Sequence, residues 1–188
     1  MEEKVMTKKE VPEIKFSPAE LSYMAGFFEG EGCVSAVKYA SYPLKIGRKP
    51  TLVLMCRVGN TEKDALELFE RRFGGKIRVW HRNPKWKDIW IWNIYAKKAL
   101  NFLETIEPYL KTKRKQELAR LGIEFQKHKV LGGFKGAHKK GHPREYYEFE
   151  DKFLIRVREL NKRGGNVYGE SANERPEGEN TARNPIFA

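Results

Sequence analysis

Apolar residues change twice from helical to strand spacing along this chain, and that order leaves few folds open to it. The pattern predicts a helix from Ser17 to about Gly30, two strands, a helix that opens at Thr61, two more strands and then further helices. Neighbouring strand pairs separated by helices form one sheet with helices on a single face. The sequence therefore predicts an α+β domain with the order αββαββα followed by an additional helix. The face of the sheet opposite the helices is predicted to be open.

The periodic part of the sequence covers 17–163, which predicts one domain, since 188 residues are few for two. Residues 1–16 are charged without a sustained period, and 164–188 are rich in Gly, Asn, Glu and Pro, so both are predicted to be tails. No stretch reaches the roughly 18 apolar residues of a membrane span, and the start lacks the apolar segment of a secretory signal. We expect a soluble intracellular protein, in the cytoplasm of a prokaryote or in an organelle, with no membrane and no small-molecule partner.

The charge balance favours an anionic partner. The chain has 37 Lys and Arg residues against 25 Asp and Glu, a formal net charge of +12, which is typical of nucleic-acid binding. Cys33 and Cys56 fall inside predicted strands rather than in a paired motif, which argues against a disulfide framework or a zinc cluster. His138 and His142 are four residues apart but lack an acidic or cysteine partner, so phosphate contact or an ordinary solvated loop explains them better than a metal.

The predicted first helix ends in two carboxylates, Glu29 and Glu31, which alternate with Gly30 and Gly32. A helix C-terminus carries partial negative charge, so each exposed carboxylate there costs about 0.3 to 1 kcal/mol. A divalent cation reverses that sign, and carboxylate oxygens beside backbone carbonyls suit Mg²⁺. Taken alone, the string is more often an ordinary charged turn at the end of a helix.

A second helix end has the opposite anomaly. Thr112 is a predicted N-cap, so Lys113, Arg114 and Lys115 lie at a positive helix terminus, where cations are disfavoured. A phosphate nearby would stabilise them, and a solvated basic helix start is an equally good explanation of this string by itself. The two anomalies together favour a site for metal and phosphate.

The string Met24-Ala-Gly-Phe-Phe-Glu-Gly-Glu-Gly32 resembles the motif of the LAGLIDADG homing endonucleases, with Met for the first Leu and Glu for both Asp. The resemblance extends from residue 17 to about 160 and includes the string from Pro108 to Gln116.

The resemblance implies the single-motif, homodimeric, intron-encoded branch of that family. In such a protein an antiparallel, saddle-shaped sheet faces DNA and the helices lie on its other face. The implied activity is metal-dependent hydrolysis of one phosphodiester on each strand of a long pseudo-palindromic double-stranded DNA. Mg²⁺ is the expected cofactor, with Mn²⁺ or Ca²⁺ able to replace it for binding.

The resemblance also implies roles for individual residues. Glu31 matches the last acid of the motif and would bind metal, with a backbone carbonyl from Gly30 and a weaker contribution from Glu29. Lys113 would stabilise charge near the scissile phosphate. Asn60, a shorter substitute for the usual Gln, would orient the attacking water, so the implied catalytic residues are Glu31, Lys113 and Asn60.

Because the chain has one such motif, the resemblance implies a homodimer in which two motif helices pack together. The small residues Ala25 and Gly26 would allow close approach, with Tyr23 and Phe27 also at the interface. The two copies of Glu31 would then meet near the twofold axis.

Strand alternation predicts a basic face on the sheet, suited to the DNA major groove. An ordinary solvent-facing sheet is the alternative for this face. Trp90 and Trp92 share one face of their strand, which the resemblance directs toward DNA, although a strand covered on both faces would show the same pattern. A long basic loop, 38–50, would extend the footprint. The predicted DNA-contacting residues are Tyr39, Lys45, Arg48, Arg57, Lys76, Arg78, Trp80, Arg82, Trp90 and Trp92.

Two other classes of function fit parts of the sequence. Relatives of this fold include RNA maturases and DNA-binding regulators that do not cleave, against which the presence of Glu31 and Lys113 argues. A structural or ribosome-associated basic protein would need nothing beyond the composition, and it predicts no metal-dependent cleavage.

Overall fold

The computed structural model describes residues 16–39, 50–81, 86–131 and 142–162. This part of the chain contains five α-helices and four strands in the predicted αββαββα order, with two further helices at the end. The predicted tails and most of the 38–50 loop lie outside the described residues. The elements are α1 Pro18–Glu31, β1 Gly32–Tyr39, β2 Thr51–Asn60, α2 Asp64–Phe73, β3 Lys76–Trp80, β4 Ile89–Tyr95, α3 Ala96–Ile106, α4 Lys113–Leu131 and α5 Arg144–Asn161, with a 3₁₀ turn Glu107–Tyr109 between α3 and α4.

The four strands form one antiparallel sheet in the order β1-β2-β4-β3. Along β2, Leu52, Leu54, Cys56 and Val58 are buried and share the face toward the helices, and Met55, on the other face, is also buried. Arg57 therefore faces the other way, on the side without a helix layer, as predicted. We call that side the open face.

Helix α1 begins as its sequence predicts. The Ser17 hydroxyl accepts a hydrogen bond from the Glu20 amide at 3.1 Å, and the Glu20 carboxylate accepts one from the Ser17 amide at 3.1 Å. This capping box satisfies donors that the helix itself leaves unpaired. The Glu20 carboxylate also forms an ion pair with Arg72 at 2.5 Å, which connects the start of α1 to the end of α2.

Helix α2 starts at Asp64, three residues after the predicted Thr61. The reason is local, because the Asn60 side chain accepts a hydrogen bond from the Glu62 amide at 2.8 Å. Such a turn competes with helical hydrogen bonding over the next residues.

An aromatic cluster forms the centre of the core between the sheet and α1, α2 and α3. Phe102 contacts four aromatic neighbours, with ring centroids 4.9 Å from Phe73, 5.1 Å from Phe28, 5.2 Å from Trp92 and 6.1 Å from Phe69. Phe69 lies 5.2 Å from Trp92. Such pairs each add about 0.5 to 1.5 kcal/mol beyond the burial of their surface.

The turn from α2 to β3 requires two glycines. Gly74 and Gly75 have φ of 66° and 93°, a region that L side chains rarely adopt. A Cβ on Gly75 would lie 2.6 Å from the Asn93 carbonyl oxygen. The turn brings the Gly74 carbonyl to the Trp92 indole nitrogen, which donates to it at 2.8 Å.

Helices α4 and α5 complete the helix layer. Phe125 of α4 stacks on Phe153 of α5 with centroids 3.9 Å apart, and a largely buried ion pair joins Lys129 to Glu150 at 2.9 Å. In the described ranges of the chain, no helix combines the length and the apolar character needed to cross a membrane.

Candidate functional site

The two acidic residues at the end of α1 have different environments. Glu29 turns back toward the start of α4, where its Oε1 accepts hydrogen bonds from the Lys111 amide at 2.8 Å, the Thr112 amide at 2.6 Å and the Thr112 hydroxyl at 2.9 Å. Burial alone would raise the pKa of Glu29, but these hydrogen bonds outweigh it, so the pKa lies below its ordinary value. Glu29 is therefore an N-terminal cap of α4.

Glu31, the last residue of α1, is exposed. Within the described residues, no hydrogen bond or ion pair reaches its carboxylate. The backbone beside it is open, because a Cβ on Gly30 would meet no atom within 4 Å. At Gly32 the backbone is closely packed, since a Cβ added there would lie 2.1 Å from the Phe28 ring. The close turn from α1 into β1 therefore directs Glu31 outward.

The C-terminal end of α1 receives a cation from another helix. Lys115 of α4 is 3% exposed, and its ammonium group donates to the backbone oxygens of Phe28, at 3.1 Å, and of Gly32. The Phe28 carbonyl also accepts the last hydrogen bond of α1, from the Gly32 amide, and positive charge stabilises a helix C-terminus. This role could not be predicted, because nothing in the string from Lys113 to Lys115 indicates which cation turns inward.

Lys113 is the first residue of α4, directly after the Thr112 that Glu29 contacts, and it is exposed. Lys113 and Glu31 therefore belong to chain segments that meet at one corner of the molecule, which we call the acid–base corner. Asn60 lies at the same end of the sheet, since Gly32 pairs with Val58 two residues before it. Its side-chain oxygen already accepts from Glu62, which leaves its Nδ2 group for other contacts.

On the open face, one row of paired residues crosses three strands. Arg57 of β2 lies opposite Asn93 of β4, which lies opposite Lys76 of β3. The Arg57 Nε group donates to the Asn93 side-chain oxygen at 2.9 Å. This bond fixes the guanidinium plane and leaves its two terminal nitrogens to bind an acceptor. Asn93 was not among the predicted DNA-contacting residues, although a single amide in the apolar string IWIWNIY indicates a polar contact on this strand.

The outer strand β3 extends the basic character of the open face. Lys76, Arg78 and Trp80 alternate on it and all three are exposed, Trp80 by 51%. Trp86, which the sequence analysis did not single out, is also exposed beside the end of this hairpin. The predictions for the Tyr39 side chain, Lys45, Arg48 and Arg82 lie outside the described residues.

The prediction that Trp92 contacts DNA is wrong. Trp92 is 0% exposed and packs among the core aromatics, while Trp90, on the same side of β4, is half-buried against the core with Lys63 lying 5.9 Å from its ring centroid. The isoleucines of this strand, Ile89 and Ile91, share the open face with Arg78 and Trp80 instead. Alternation predicts which residues share a face, but the aromatic side chains of α2 and α3 decide which face is covered.

The outward side of α1 contains Tyr23 and Gly26. Tyr23 is 50% exposed and its ring lies 5.8 Å from that of the partly buried Phe27. A Cβ on Gly26 would meet nothing within 4 Å. Ala25 is 0% exposed and belongs to the core of its own chain, so the prediction that it packs against a partner is wrong. Gly26 is the small residue on the outward side.

Several solved structures have this architecture. The homing endonuclease I-CvuI, bound to the I-CreI target in the presence of Mg, superposes with a TM-score of 0.57 at 18% identity over 79% of this chain and 86% of that one. The archaeal intron-encoded homing endonuclease I-Vdi141I, complexed with DNA, gives a TM-score of 0.56 at 15% identity over 80% of this chain and 89% of that one. The chain has the LAGLIDADG homing-endonuclease fold. The group I intron-encoded homing endonuclease I-CeuI gives a TM-score of 0.52 at 16% identity over 82% of this chain and 72% of that one. No family model and no curated protein matches the sequence.

Within this LAGLIDADG homing-endonuclease fold, the donors available for a metal are few and all oxygen. In the part of the chain that the structure describes, no three His, Cys, Asp or Glu side chains form a cluster. Glu31 offers a free carboxylate and the adjacent Gly30 an open backbone, which is the hard donor type that Mg²⁺ prefers. Glu31 and Gly30 are therefore the candidate metal donors of this corner, and from one chain they could supply only part of a metal shell.

Proposed function

We propose that the chain is a site-specific homing endonuclease. It binds a long, pseudo-palindromic double-stranded DNA as a homodimer and hydrolyses one phosphodiester on each strand with divalent metal ions. One observation carries the proposal. The exposed carboxylate of Glu31 and the exposed ammonium group of Lys113 occur at one corner, next to a sheet face whose described charges are all positive.

Each residue of the acid–base corner has a distinct task in this proposal. Glu31 and the Gly30 carbonyl would hold Mg²⁺, which when bound lowers the pKa of water and stabilises charge on the phosphate. Lys113 would donate hydrogen bonds to the scissile phosphate from a helix N-terminus, where an anion is stabilised. Asn60 would hold the attacking water through the Nδ2 group that its turn leaves unused.

The open face would hold the DNA. Arg57, fixed by Asn93, can donate two hydrogen bonds to one guanine in the major groove, while Lys76 and Arg78 reach phosphates or base acceptors. The structural neighbours support this use of the fold, since I-CvuI and I-Vdi141I were solved with DNA bound. Trp80 would contact the sugar-phosphate backbone at the outer strand.

The dimer would form through the outward side of α1. Tyr23, Gly26 and Phe27 present an aromatic and small surface with little charge, suited to packing against a second copy of the same helix. The pairing would bring the two Glu31 carboxylates together, and the shared metal ions would offset their repulsion. A twofold dimer reads a target whose halves are inverted repeats.

The test is a cleavage selection on random duplex DNA in Mg²⁺, comparing wild type with Glu31→Gln. We expect the wild type to recover one long, roughly palindromic site. Glu31→Gln should bind that site with unchanged affinity and cleave it more than about 100-fold slower, because even the partners of metal ligands are worth about 10- to 100-fold. Glu124→Gln is the matched control, since it removes another exposed carboxylate about three turns along α4 from Lys113.

Four outcomes would contradict parts of the proposal. Unchanged cleavage by Glu31→Gln removes this residue from the mechanism. Specific duplex binding without cleavage by the wild type identifies a DNA-binding regulator, and preference for structured RNA over duplex identifies a maturase. A single protomer on the recovered site, measured by sedimentation, rules out the symmetric dimer.

A further inference from the structure

We propose that Glu29 and Lys115 form a pair of crossed helix caps that position Lys113 beside Glu31, and that neither residue binds metal or substrate. Glu29 of α1 caps the start of α4, and Lys115 of α4 caps the end of α1. We call these two contacts the crossed caps. The inference rests on the proposed function, because it assigns positioning residues to that same site.

The crossed caps remove the two charge anomalies of the sequence. Two carboxylates lie at the negative end of α1 and three cations at the positive end of α4, and each helix end is stabilised by charge of the opposite sign. The caps exchange one charge between the ends. Glu29 reaches the amides of Lys111 and Thr112, and the Lys115 ammonium reaches the backbone oxygens of Phe28 and Gly32.

Once Glu29 and Lys115 have formed the crossed caps, three charges of the two helix ends remain, and two of these have no protein partner among the described residues. Arg114 donates from its guanidinium to the Leu160 carbonyl oxygen at 3.2 Å. Glu31 and Lys113 have no hydrogen-bond or ion-pair partner within the described ranges, and both are exposed. The caps therefore separate the structural charges of the two helix ends from the pair that is left to act on a ligand.

The same contacts fix the backbone on both sides of each reactive residue. Glu31 lies between the capping residue Glu29 and the Gly32 carbonyl that Lys115 holds. Lys113 lies between Thr112, which Glu29 holds, and Lys115. Each reactive side chain is thus on a segment attached to the other helix before and after it, so the separation of Glu31 and Lys113 depends on the caps rather than on either helix alone.

The chemistry of Glu29 also argues against metal binding. Its Oε1 accepts three hydrogen bonds from the turn before α4, so Oε2 is the one oxygen of Glu29 left for a cation. Lys115, at 3% exposure, is buried under the Phe28 ring, with the ammonium group 5.1 Å from the ring centroid. A DNA phosphate cannot reach a group that is enclosed in this way.

The experiment measures single-turnover cleavage of the selected duplex against Mg²⁺ concentration, with the full chain. Glu29→Ala removes the acceptor and should slow cleavage about 10- to 100-fold, the range expected when reacting groups are misplaced by about 1 Å. Glu29→Gln keeps an acceptor oxygen and should lose no more than about 5-fold, since neutral hydrogen bonds are roughly half as strong as charge-assisted ones. In both variants the Mg²⁺ concentration for half-maximal rate should stay unchanged. A large rise in that concentration for Glu29→Gln would make Glu29 a metal ligand and overturn the inference.

A second measurement needs no cleavage. Hydrogen exchange of the free protein should show faster exchange at the Lys111 and Thr112 amides in Glu29→Ala, and wild-type rates there in Glu31→Gln. Lys115→Met removes the contact at the end of α1 and tests the second cap. Thr112→Val, which removes one hydroxyl donor to Glu29, should give an intermediate exchange rate and remains informative if Lys115→Met does not fold. Unchanged protection in Glu29→Ala would refute the caps.

The two measurements distinguish the failure of this inference from the failure of the proposed function. If the wild type cleaves no duplex, the proposed function and the catalytic part of the inference both fall, while the exchange data still decide whether the caps exist. If the wild type cleaves and Glu29→Ala cleaves equally well, the positioning role alone is refuted. Lys127→Met, which breaks an ion pair between α4 and Glu104, is the control for loss of a lysine from α4.

Discussion

The two faces of the sheet are built from the same four strands, yet they differ in nearly every physical property. The helix-facing side is apolar and contains Trp92 inside a cluster of phenylalanines. The open face has Arg57, Lys76 and Arg78 among its described positions and no carboxylate. Because strand side chains alternate, one string of sequence serves both faces, and neighbouring residues have unrelated tasks. Substitutions on the two faces should therefore have separable effects.

The largest expected effect is on the helix-facing side. Trp92→Ala should lower the free energy of unfolding by about 3 to 5 kcal/mol, because it leaves a cavity beside Phe69 and Phe102 and removes the hydrogen bond to Gly74. Trp80→Ala, on the open face, should cost less than about 1 kcal/mol, as expected for an exposed position. Urea unfolding of both variants measures this difference. Equal losses would show that the open face is also part of the core.

Next in size is an effect on recognition. Arg57→Ala should reduce discrimination at one base pair of each half-site by about 1 to 3 kcal/mol and leave the melting temperature nearly unchanged. Asn93→Ala keeps the guanidinium but frees it, so about 0.5 to 1.5 kcal/mol of the same discrimination should be lost. Binding measured over a library of single-base variants tests both. If the affinity loss were uniform across all sequences, Arg57 would contact phosphate rather than a base.

The smallest expected effect is on acid stability, and it belongs to the helix layer. The folded-state pKa of Glu29 lies below the ordinary value of 4.5, so its stabilisation is fully present above about pH 4.5 and is lost as the pH falls through the folded pKa. The difference in unfolding free energy between wild type and Glu29→Gln should therefore shrink as the pH falls below 4.5. Arg57→Ala should keep the wild-type pH dependence, since the described open face has no acid to titrate. A difference that does not shrink as the pH falls would exclude the ionised carboxylate as its cause.

Much of the fold followed from periodicity and from local signals. The Ser17 cap, the order of helices and strands and the open face with Arg57 were all predictable, because each depends on neighbours within a few residues or on simple alternation. The start of α2 was misplaced by three residues because the side chain of Asn60 forms a turn that periodicity does not show.

The candidate site was less predictable, because its arrangement depends on contacts across long sequence separations. The sequence marked Glu29, Glu31 and three cations from Lys113 to Lys115 as unusual. The sequence did not indicate which of these charges form structural contacts and which stay exposed. The contacts of Glu29 with Thr112 and of Lys115 with Phe28 join residues that are more than eighty positions apart. Trp92 and Ala25 were assigned to surfaces although both are buried, because residue type and spacing are the same for a residue that faces a partner and one that faces its own core.

By itself, the sequence determined which residues share a face and where helices begin. It also determined which helix ends have side-chain charge of the same sign as the helix dipole there. These properties follow from backbone geometry within a few residues. The tertiary structure alone decided which face of β4 is covered, which side of α1 remains outward and which of the unusual charges neutralise one another. Those choices depend on the packing of whole helices against the sheet, where the burial of many aromatic side chains outweighs the preference of any single residue.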